Sequence, residues 1–283
     1  MGGLVHVAKA ACGGDFEIVS PPVQVVLSMI AWALAIWPLL AWYGRRVWTE
    51  PDQKWLLLAP AAALFLMVLA RSGARNEVSW RRWLPSALFM VVYAAAVYAV
   101  LPMTLRALPA IAALLFLPGP WRNGFWPAPA VTGLFVIGIP AVAMLQFYFG
   151  YPLRVFSAIL AIPVLNGAGF DVVRDGVMLV WQGQAIGVDV PCSGIRMGWT
   201  ALFLALTGAG LSGLGWWRTG AATLAALGMA ILANAMRVIA LFGIEVLGLS
   251  GRAGLHSVIG VMLFLMLTIG IMAGIWMLKP RPA

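Results

Sequence analysis

The chain has 283 residues, of which 63% are hydrophobic and only 10% are charged, and its mean hydropathy is +0.97. This composition excludes an ordinary soluble globular domain and is typical of an integral membrane protein. The net charge of +9 comes from basic residues that stand singly or in pairs between apolar runs, which is typical of topology signals rather than of a nucleic-acid surface. We therefore predict a membrane protein that does not bind nucleic acid.

The N-terminal stretch, residues 1–20, is weakly polar. It contains Asp15 and Glu17, and Lys9 is its only lysine or arginine. A cleavable signal peptide has a basic start followed by an apolar core, and this stretch has neither. We therefore expect the first apolar helix to stay in the protein as an anchor.

Eight apolar runs are candidates for transmembrane helices, because about 20 apolar residues cross a hydrocarbon core of about 30 Å. They are residues 23–43, 55–70, 83–101, 107–117, 128–149, 197–214, 220–242 and 255–278. The fourth is short and contains Pro109, so it is expected to be tilted, to extend through residues 103–106, or to be re-entrant. The predicted fold is an all-α polytopic membrane protein with about eight transmembrane helices.

A segment with a different pattern, residues 151–191, separates the fifth and sixth of these helices. Its first part, residues 154–165, is apolar but too short to span, which favours an interfacial or half-inserted helix. Beyond Asn166, strand-like runs are separated by Asp175-Gly176 and Gln182-Gly183, and Asp-Gly between such runs is a strong hairpin signal. We predict a small β-hairpin or meander at the membrane surface before the sixth helix.

The chain is expected to divide after residue 150. Residues 1–150 would carry the first five helices, and residues 151–283 the interfacial helix, the hairpin and the last three helices. If the hairpin is extracytoplasmic, most basic loop residues fall inside, as the positive-inside rule requires. These are Arg71, Arg75, Arg81, Arg82, Arg122, Arg218, Lys279 and Arg281, whereas Arg45, Arg46 and Lys54 would lie outside.

The two cysteines and two histidines are too few and too scattered for a disulfide framework or a metal site, so neither a metal nor a cofactor is expected. Cys192 lies where the polar segment gives way to the sixth helix. A helix N-terminus favours the thiolate, and Arg196, four residues on, adds a cation on the same face. Gly194 leaves room for a substrate backbone. The position suits a nucleophile, or else a small buried residue at a helix start.

Arg237 lies in the otherwise apolar seventh helix and shares a face with Asn234, three residues before it. Burying a guanidinium near hydrocarbon costs about 2.5 kcal/mol or more, so the side chain must find a partner. One interpretation is a salt bridge to Glu245 or Asp189. The other is a clamp for a substrate carbonyl or an oxyanion.

His256 begins the eighth helix and is the only histidine in a predicted helix. Taken alone, it could be a hydrogen-bonded anchor at the membrane interface. Because successive spans alternate in direction, however, Cys192, Arg237 and His256 return to the same membrane face. A thiolate beside an imidazole is the pairing that nucleophilic acyl transfer requires.

Three motifs carry a resemblance to a known family. Cys192-Ser193-Gly194-Ile195-Arg196, Asn234-x-x-Arg237 and His256-x-x-x-Gly260 resemble, in order, spacing and membrane placement, the signatures of the exosortase/archaeosortase family. The likeness covers roughly residue 154 to the C-terminus. It implies a multi-spanning cysteine transpeptidase or peptidase in the bacterial inner membrane, with its active site on the extracytoplasmic side.

The resemblance also implies a substrate and residue roles. The substrates would be exported proteins with a PEP-CTERM-like C-terminal sorting tail, made of a Pro-containing motif, a transmembrane helix and a basic cluster. Cys192 would form a thioacyl enzyme, Arg237 would stabilise the oxyanion, and His256 would protonate the leaving amine and activate the acceptor. The residues Ser193, Gly194, Arg196 and Asn234 would support these three.

Two alternatives stay open at this stage. One is a non-enzymatic transporter or assembly subunit for envelope polysaccharide, in which Arg237 and His256 would line a polar path. The other is a membrane protease that hydrolyses its substrate without transferring the acyl group.

Overall fold

A computed structural model describes residues 21–69, 81, 83–117, 128–187, 194–248 and 254–279. Within these residues the protein is mostly helical, with one small antiparallel sheet. The elements in chain order are α1 (Pro21–Ala35), α2 (Trp37–Thr49), a 3-10 helix (Pro51–Leu57), α3 (Leu58–Leu69), α4 (Leu84–Tyr98), α5 (Met103–Leu115), α6 (Pro129–Ile137), α7 (Val142–Gly167), β1 (Val173–Asp175), β2 (Met178–Trp181), β3 (Gln184–Gly187), α8 (Ile195–Leu211), α9 (Trp216–Val246) and α10 (Leu255–Leu278).

Three of the described helices are long and apolar enough to cross a membrane, namely α7, α9 and α10 over residues 257–278. The bent pair α1–α2 makes a fourth if it forms one span. Four further apolar helices are shorter, at 10–17 residues: Gln53–Leu69, Leu84–Tyr98, Met103–Leu115 and Ile195–Leu211. The protein is thus a membrane protein, as predicted, while the number of eight spans stays a prediction.

The first predicted helix, residues 23–43, is in fact two helices. The axes of residues Val26–Ala35 and Trp37–Thr49 differ by 74°. Pro38 lies in the first turn of α2 and has no backbone N–H to continue α1, which accounts for the bend. Ile36 at the bend is buried, and the indole N–H of Trp32 donates to the carbonyl oxygen of Ala110 in α5 at 3.0 Å.

The prediction for residues 128–165 is wrong in where it places the break. The expected single helix over residues 128–149 is broken between Ile137 and Val142, at Pro140, and the expected interfacial helix over residues 154–165 is the second half of α7. The indole N–H of Trp199 donates to the Ile137 carbonyl oxygen at 2.8 Å and so stabilises the end of α6. The predicted division after residue 150 falls inside α7.

The short fourth predicted helix extends towards its N-terminus, as one of the three expectations had it. It forms α5, which begins at Met103 and contains Pro109. The helix packs on α4, where the Ser86 hydroxyl donates to the Ala113 carbonyl oxygen at 2.8 Å.

The predicted small sheet is confirmed as a three-stranded antiparallel meander in the order β1-β2-β3. Both turn residues between β2 and β3, Gln182 and Gly183, have positive φ (49° and 76°), as a type I′ hairpin turn requires. The first turn lies one residue later than predicted. Asp175 pairs with Met178, so the two-residue loop is Gly176-Val177.

An apolar cluster joins this sheet to the second half of α7 and the last turns of α9. Its centre is Phe242, which is 1% exposed and packs edge to face on Phe170 and Trp181, at 5.5 Å and 6.2 Å between ring centroids. Helix α9 has 31 residues and is therefore about 46 Å long, more than a hydrocarbon core of about 30 Å. The last turns of α9 therefore extend beyond the hydrocarbon core, where they pack against the sheet.

Helices α8 and α9 pack mainly through alanines, and α10 adds Leu267, Ile271 and Ile275 to the same cluster. A Cβ added at Gly208 near the end of α8 would lie 2.5 Å from Ile275 Cδ1 near the end of α10, so α8 and α10 run parallel and start at the same end. Gly194, just before α8, lies against Asn234 late in α9, so α9 runs antiparallel to both. The starts of α8 and α10 and the end of α9 therefore share one end of the bundle with the sheet.

Candidate functional site

The start of α8 approaches α9 closely at a glycine. Gly194 has a φ of +79°, a conformation that L side chains rarely adopt. A Cβ at this position would lie only 3.2 Å from Cγ and Nδ2 of Asn234. Glycine is thus required at position 194 for both its backbone conformation and the space that it leaves. This contact joins two of the three sequence motifs.

Asn234 joins a third helix to this contact. It is 2% exposed, and its Nδ2 donates to the Ser157 hydroxyl of α7 at 2.7 Å. Ser157 is 3% exposed and itself donates to the carbonyl oxygen of Leu153, one turn earlier in α7, at 2.9 Å. Helices α7, α8 and α9 thus meet at a buried hydrogen-bonded pair, which we call the Ser157–Asn234 pair.

Sequence reasoning singled out Asn234 as a supporting residue but missed Ser157. A serine in an apolar helix ordinarily bonds to the carbonyl of its own helix four residues back, as Ser157 also does. Its second partner is 77 residues away in the chain, and no local signal indicates it.

Arg237 lies one helical turn beyond Asn234 on α9 and is half-buried. The next residue, Val238, belongs to the apolar cluster under the sheet. Arg237 therefore lies on α9 between the Ser157–Asn234 pair and the part of the helix that packs under the sheet. Of the two salt-bridge partners considered for it, Asp189 lies outside the described residues.

Arg196 is the second residue of α8, and its side chain is exposed. The Thr200 hydroxyl donates to its backbone oxygen at 2.8 Å. The side chain thus adds an exposed positive charge to the first turn of α8, at the end of the bundle that carries the sheet.

The central residues of the prediction are described only in part. Cys192 and Ser193 lie outside the described residues. His256 is the second residue of α10, as predicted, but its side chain is not among those described. The structure places Gly194 against Asn234, which lies one turn before Arg237 on α9, and the meeting of Cys192, Arg237 and His256 stays a prediction.

A second polar group, from the N-terminal half, lies near the same end. Trp55 of the 3-10 helix packs edge to face on Trp199, in the second turn of α8, at 4.1 Å between ring centroids. Beside Trp55 in the chain, the buried Gln53 donates to the carboxylate of Glu50, which forms an ion pair with Arg46 at 3.0 Å. The sequence showed these charges but not their position near the start of α8.

Comparison with known proteins gives one family. The family model described as transmembrane exosortase (Exosortase_EpsH) matches residues 24–273, which is most of the chain. No curated protein and no solved structure gives a significant match. The match covers all three motifs and the N-terminal helices as well. The chain therefore belongs to the transmembrane exosortase family.

Proposed function

We propose that this protein is a membrane-embedded cysteine transpeptidase that cleaves the C-terminal sorting signal of exported proteins through a thioacyl intermediate. Its membership in the transmembrane exosortase family supports a sorting transpeptidase role in general. The finer assignment names Cys192 as the nucleophile, Arg237 as the oxyanion clamp and His256 as the acid and base.

The observation that carries the proposal is the contact between Gly194 and Asn234. It ties the motif that contains Cys192 to the motif that contains Arg237, although the two are about 40 residues apart in the chain. Cys192 is two residues before Gly194, and two residues of chain span at most about 7 Å. We therefore propose that the Cys192 thiol works beside the part of α9 that carries Asn234 and Arg237.

The chemistry follows from these side chains. The Cys192 thiolate attacks the scissile carbonyl carbon, a C–S bond forms, and the carbonyl electrons move to oxygen, where Arg237 stabilises the negative charge. The carbonyl then re-forms and the C–N bond breaks, while His256 gives its proton to the leaving amine. In the second half, His256 takes a proton from the acceptor amine, which attacks the thioacyl carbon and releases the Cys192 thiolate.

Charge favours this arrangement. The positive end of a helix dipole favours the thiolate form of a cysteine just before the helix, and Arg196 adds an exposed cation in the first turn of α8. Attack at neutral pH needs such a thiolate. Partial exclusion of water by the sheet would protect the thioacyl enzyme from hydrolysis.

The same proposal includes an orientation in the bacterial inner membrane. Arg218 at the start of α9 and Lys279 after α10 lie at the end opposite Gly194, which suits the cytoplasmic side. Basic residues also lie at the other end, among them Arg174 in β1 and Arg196 in α8, while Arg46 there is paired with Glu50 and Lys54 Nζ lies 5.6 Å from the Trp48 ring centre. The site would then face the extracytoplasmic side, where exported tails arrive.

Substitution of the thiol tests the proposal. Cys192→Ala and Cys192→Ser are expected to stop cleavage of a substrate tail in membranes, whereas the matched variant Cys12→Ala should process it at the wild-type rate. Removing a catalytic nucleophile ordinarily costs a factor of about 10⁴ or more. Processing that persists in Cys192→Ala would overturn the enzyme assignment and favour the transporter alternative.

Mass spectrometry of the processed product distinguishes transfer from hydrolysis. A transpeptidase leaves an amine-linked group on the new C-terminus of the substrate. A free carboxylate as the sole product would contradict transfer and identify a protease with the same thioacyl intermediate.

A further inference from the structure

We propose that Ser157 of α7 is a positioning residue for the reaction at Cys192. It acts through Asn234, whose side chain it orients against Gly194, and so it sets the path of the chain into α8. This inference rests on the proposed function, because it concerns the same site. It adds a helix, α7, that lies outside the three motifs.

The direction of the hydrogen bonds fixes the Asn234 amide. The Ser157 hydroxyl has one proton, and it is directed to the Leu153 carbonyl oxygen at 2.9 Å. Its lone pairs can then only accept, and the group that approaches at 2.7 Å must be a donor. The amide nitrogen of Asn234 therefore faces Ser157, and the amide oxygen is turned away from it.

The orientation matters because of what lies against the amide. The Gly194 backbone approaches so closely that an added Cβ would be 3.2 Å from both Cγ and Nδ2. A rotated or displaced amide would press on this backbone, which already has an unusual φ of +79°. Cys192 is two positions earlier in the chain, so we expect a shift at Gly194 to change the reactivity of its thiol.

Burial makes the pair a firm support. Ser157 and Asn234 are both almost fully buried, so water does not compete for their hydrogen bond. Helix α7 is itself fixed at its far end, because Asn166 Oδ1 accepts from the Val172 backbone N–H at 2.8 Å and so ties α7 to the chain entering the sheet. The helix that carries Ser157 is therefore anchored at its end next to the sheet.

The first test is kinetic and uses the full-length protein. Ser157→Ala removes the acceptor and is expected to lower kcat for tail cleavage about 3- to 20-fold with KM unchanged, since a buried hydrogen bond between membrane helices typically carries that factor. The rate of alkylation of Cys192 by iodoacetamide, in a Cys12→Ala background, should change as well. Ser157→Thr keeps the hydroxyl and should restore most of kcat.

A matched control separates positioning from general stability. Ser86 is 4% exposed and donates to the Ala113 carbonyl oxygen at 2.8 Å, so it is an equally buried serine on helices that the site does not use. Ser86→Ala should lower the melting temperature as much as Ser157→Ala does but leave kcat and thiol reactivity unchanged. Each rate is divided by the amount of folded protein. That amount is measured by isolating the folded fraction, denaturing it and alkylating Cys192.

The decisive experiment is a double-mutant cycle. If Ser157 acts through Asn234, then Ser157→Ala combined with Asn234→Ala is no slower than Asn234→Ala alone. Additive losses, or a wild-type kcat and thiol reactivity in Ser157→Ala, overturn the inference.

Cys192→Ala is assayed in the same series to separate this inference from the proposed function. Processing without the thiol overturns the proposed function. A normal rate in Ser157→Ala together with an inactive Cys192→Ala overturns only this inference.

Discussion

Helices α8 and α9 are joined in two different ways along their length. In the middle they meet through alanines, among them Ala201, Ala205 and Ala226. At the end that carries the sheet they meet through Gly194 and Asn234, with Ser157 behind them. The same pair of helices thus has an apolar contact and a polar one.

The apolar contact stabilises the helix bundle, whereas the polar contact orients side chains at the proposed site. Small apolar residues let membrane helices approach closely and gain packing energy. A buried amide and hydroxyl gain little more stability than this, but they fix the direction of side chains. We therefore expect substitutions in the alanine contact to change stability and substitutions at the polar contact to change activity.

Arg237 should give the largest effect on activity. Arg237→Met removes the cation that would stabilise the oxyanion and is expected to lower kcat about 10²- to 10³-fold, with the melting temperature little changed. Steady-state cleavage of a tail peptide measures it. Arg218→Met, an exposed arginine at the start of the same helix, is the control and should have the wild-type rate. Equal rates for both variants would show that Arg237 has no role in the reaction.

The alanine contact should respond in the opposite way. Ala226 is 0% exposed, so Ala226→Leu overpacks the interface and should destabilise the protein by about 1–3 kcal/mol. The neighbouring exposed Ala225 offers a matched Ala225→Leu variant that should be neutral. Unfolding in detergent measures both. A large loss of kcat in folded Ala226→Leu, without a loss of stability, would erase the distinction between the two contacts.

The turn between β2 and β3 tests whether the sheet needs its unusual backbone. Gly183 has a φ of +76°, so Gly183→Ala should destabilise the hairpin locally by about 1–2 kcal/mol. Hydrogen exchange of the β2 and β3 amides reports the opening. Gly215, with a φ of −73° and open space around it, is the control. Unchanged exchange in Gly183→Ala would mean that this turn relaxes without cost.

The smallest expected effect concerns the Trp199 indole. Trp199→Phe keeps an aromatic ring against Trp55 and Phe203 but loses the hydrogen bond to Ile137, at a cost of about 0.6 kcal/mol in unfolding free energy. Trp217→Phe is the exposed control. A loss well above 2 kcal/mol would show that the break after α6 depends on this bond much more than we expect.

The sheet could be predicted from the sequence because its signals are local. Glycines at the turns and strand-like runs between them predict a small hairpin or meander before α8; the structure has three strands, and its first turn lies one residue later than predicted. Helix α10 agrees with its predicted bounds, residues 255–278, for the same reason. Long apolar runs with clear ends need no distant partner to be recognised.

The helix breaks could not be predicted because they depend on distant partners. Residues 130–167 contain Pro140, Pro152 and Pro163, and only Pro140 lies at a break between two helices. The carbonyl oxygen of Ile137 that the break leaves without a helical partner is bonded by Trp199, 62 residues away. Ser157 was missed for the same reason, since its role depends on Asn234.

The proposed site depends most on the meeting of Cys192 with His256, and a disulfide trap tests that meeting directly. In a Cys12→Ala background, His256→Cys is combined with the native Cys192 and oxidised mildly in membranes. A disulfide forms readily only when the two Cα atoms come within about 7 Å. We predict rapid and nearly complete cross-linking, and none for Met266→Cys, which is about 15 Å further along α10. No cross-link at position 256, or equal cross-linking at both positions, would contradict the proposed site.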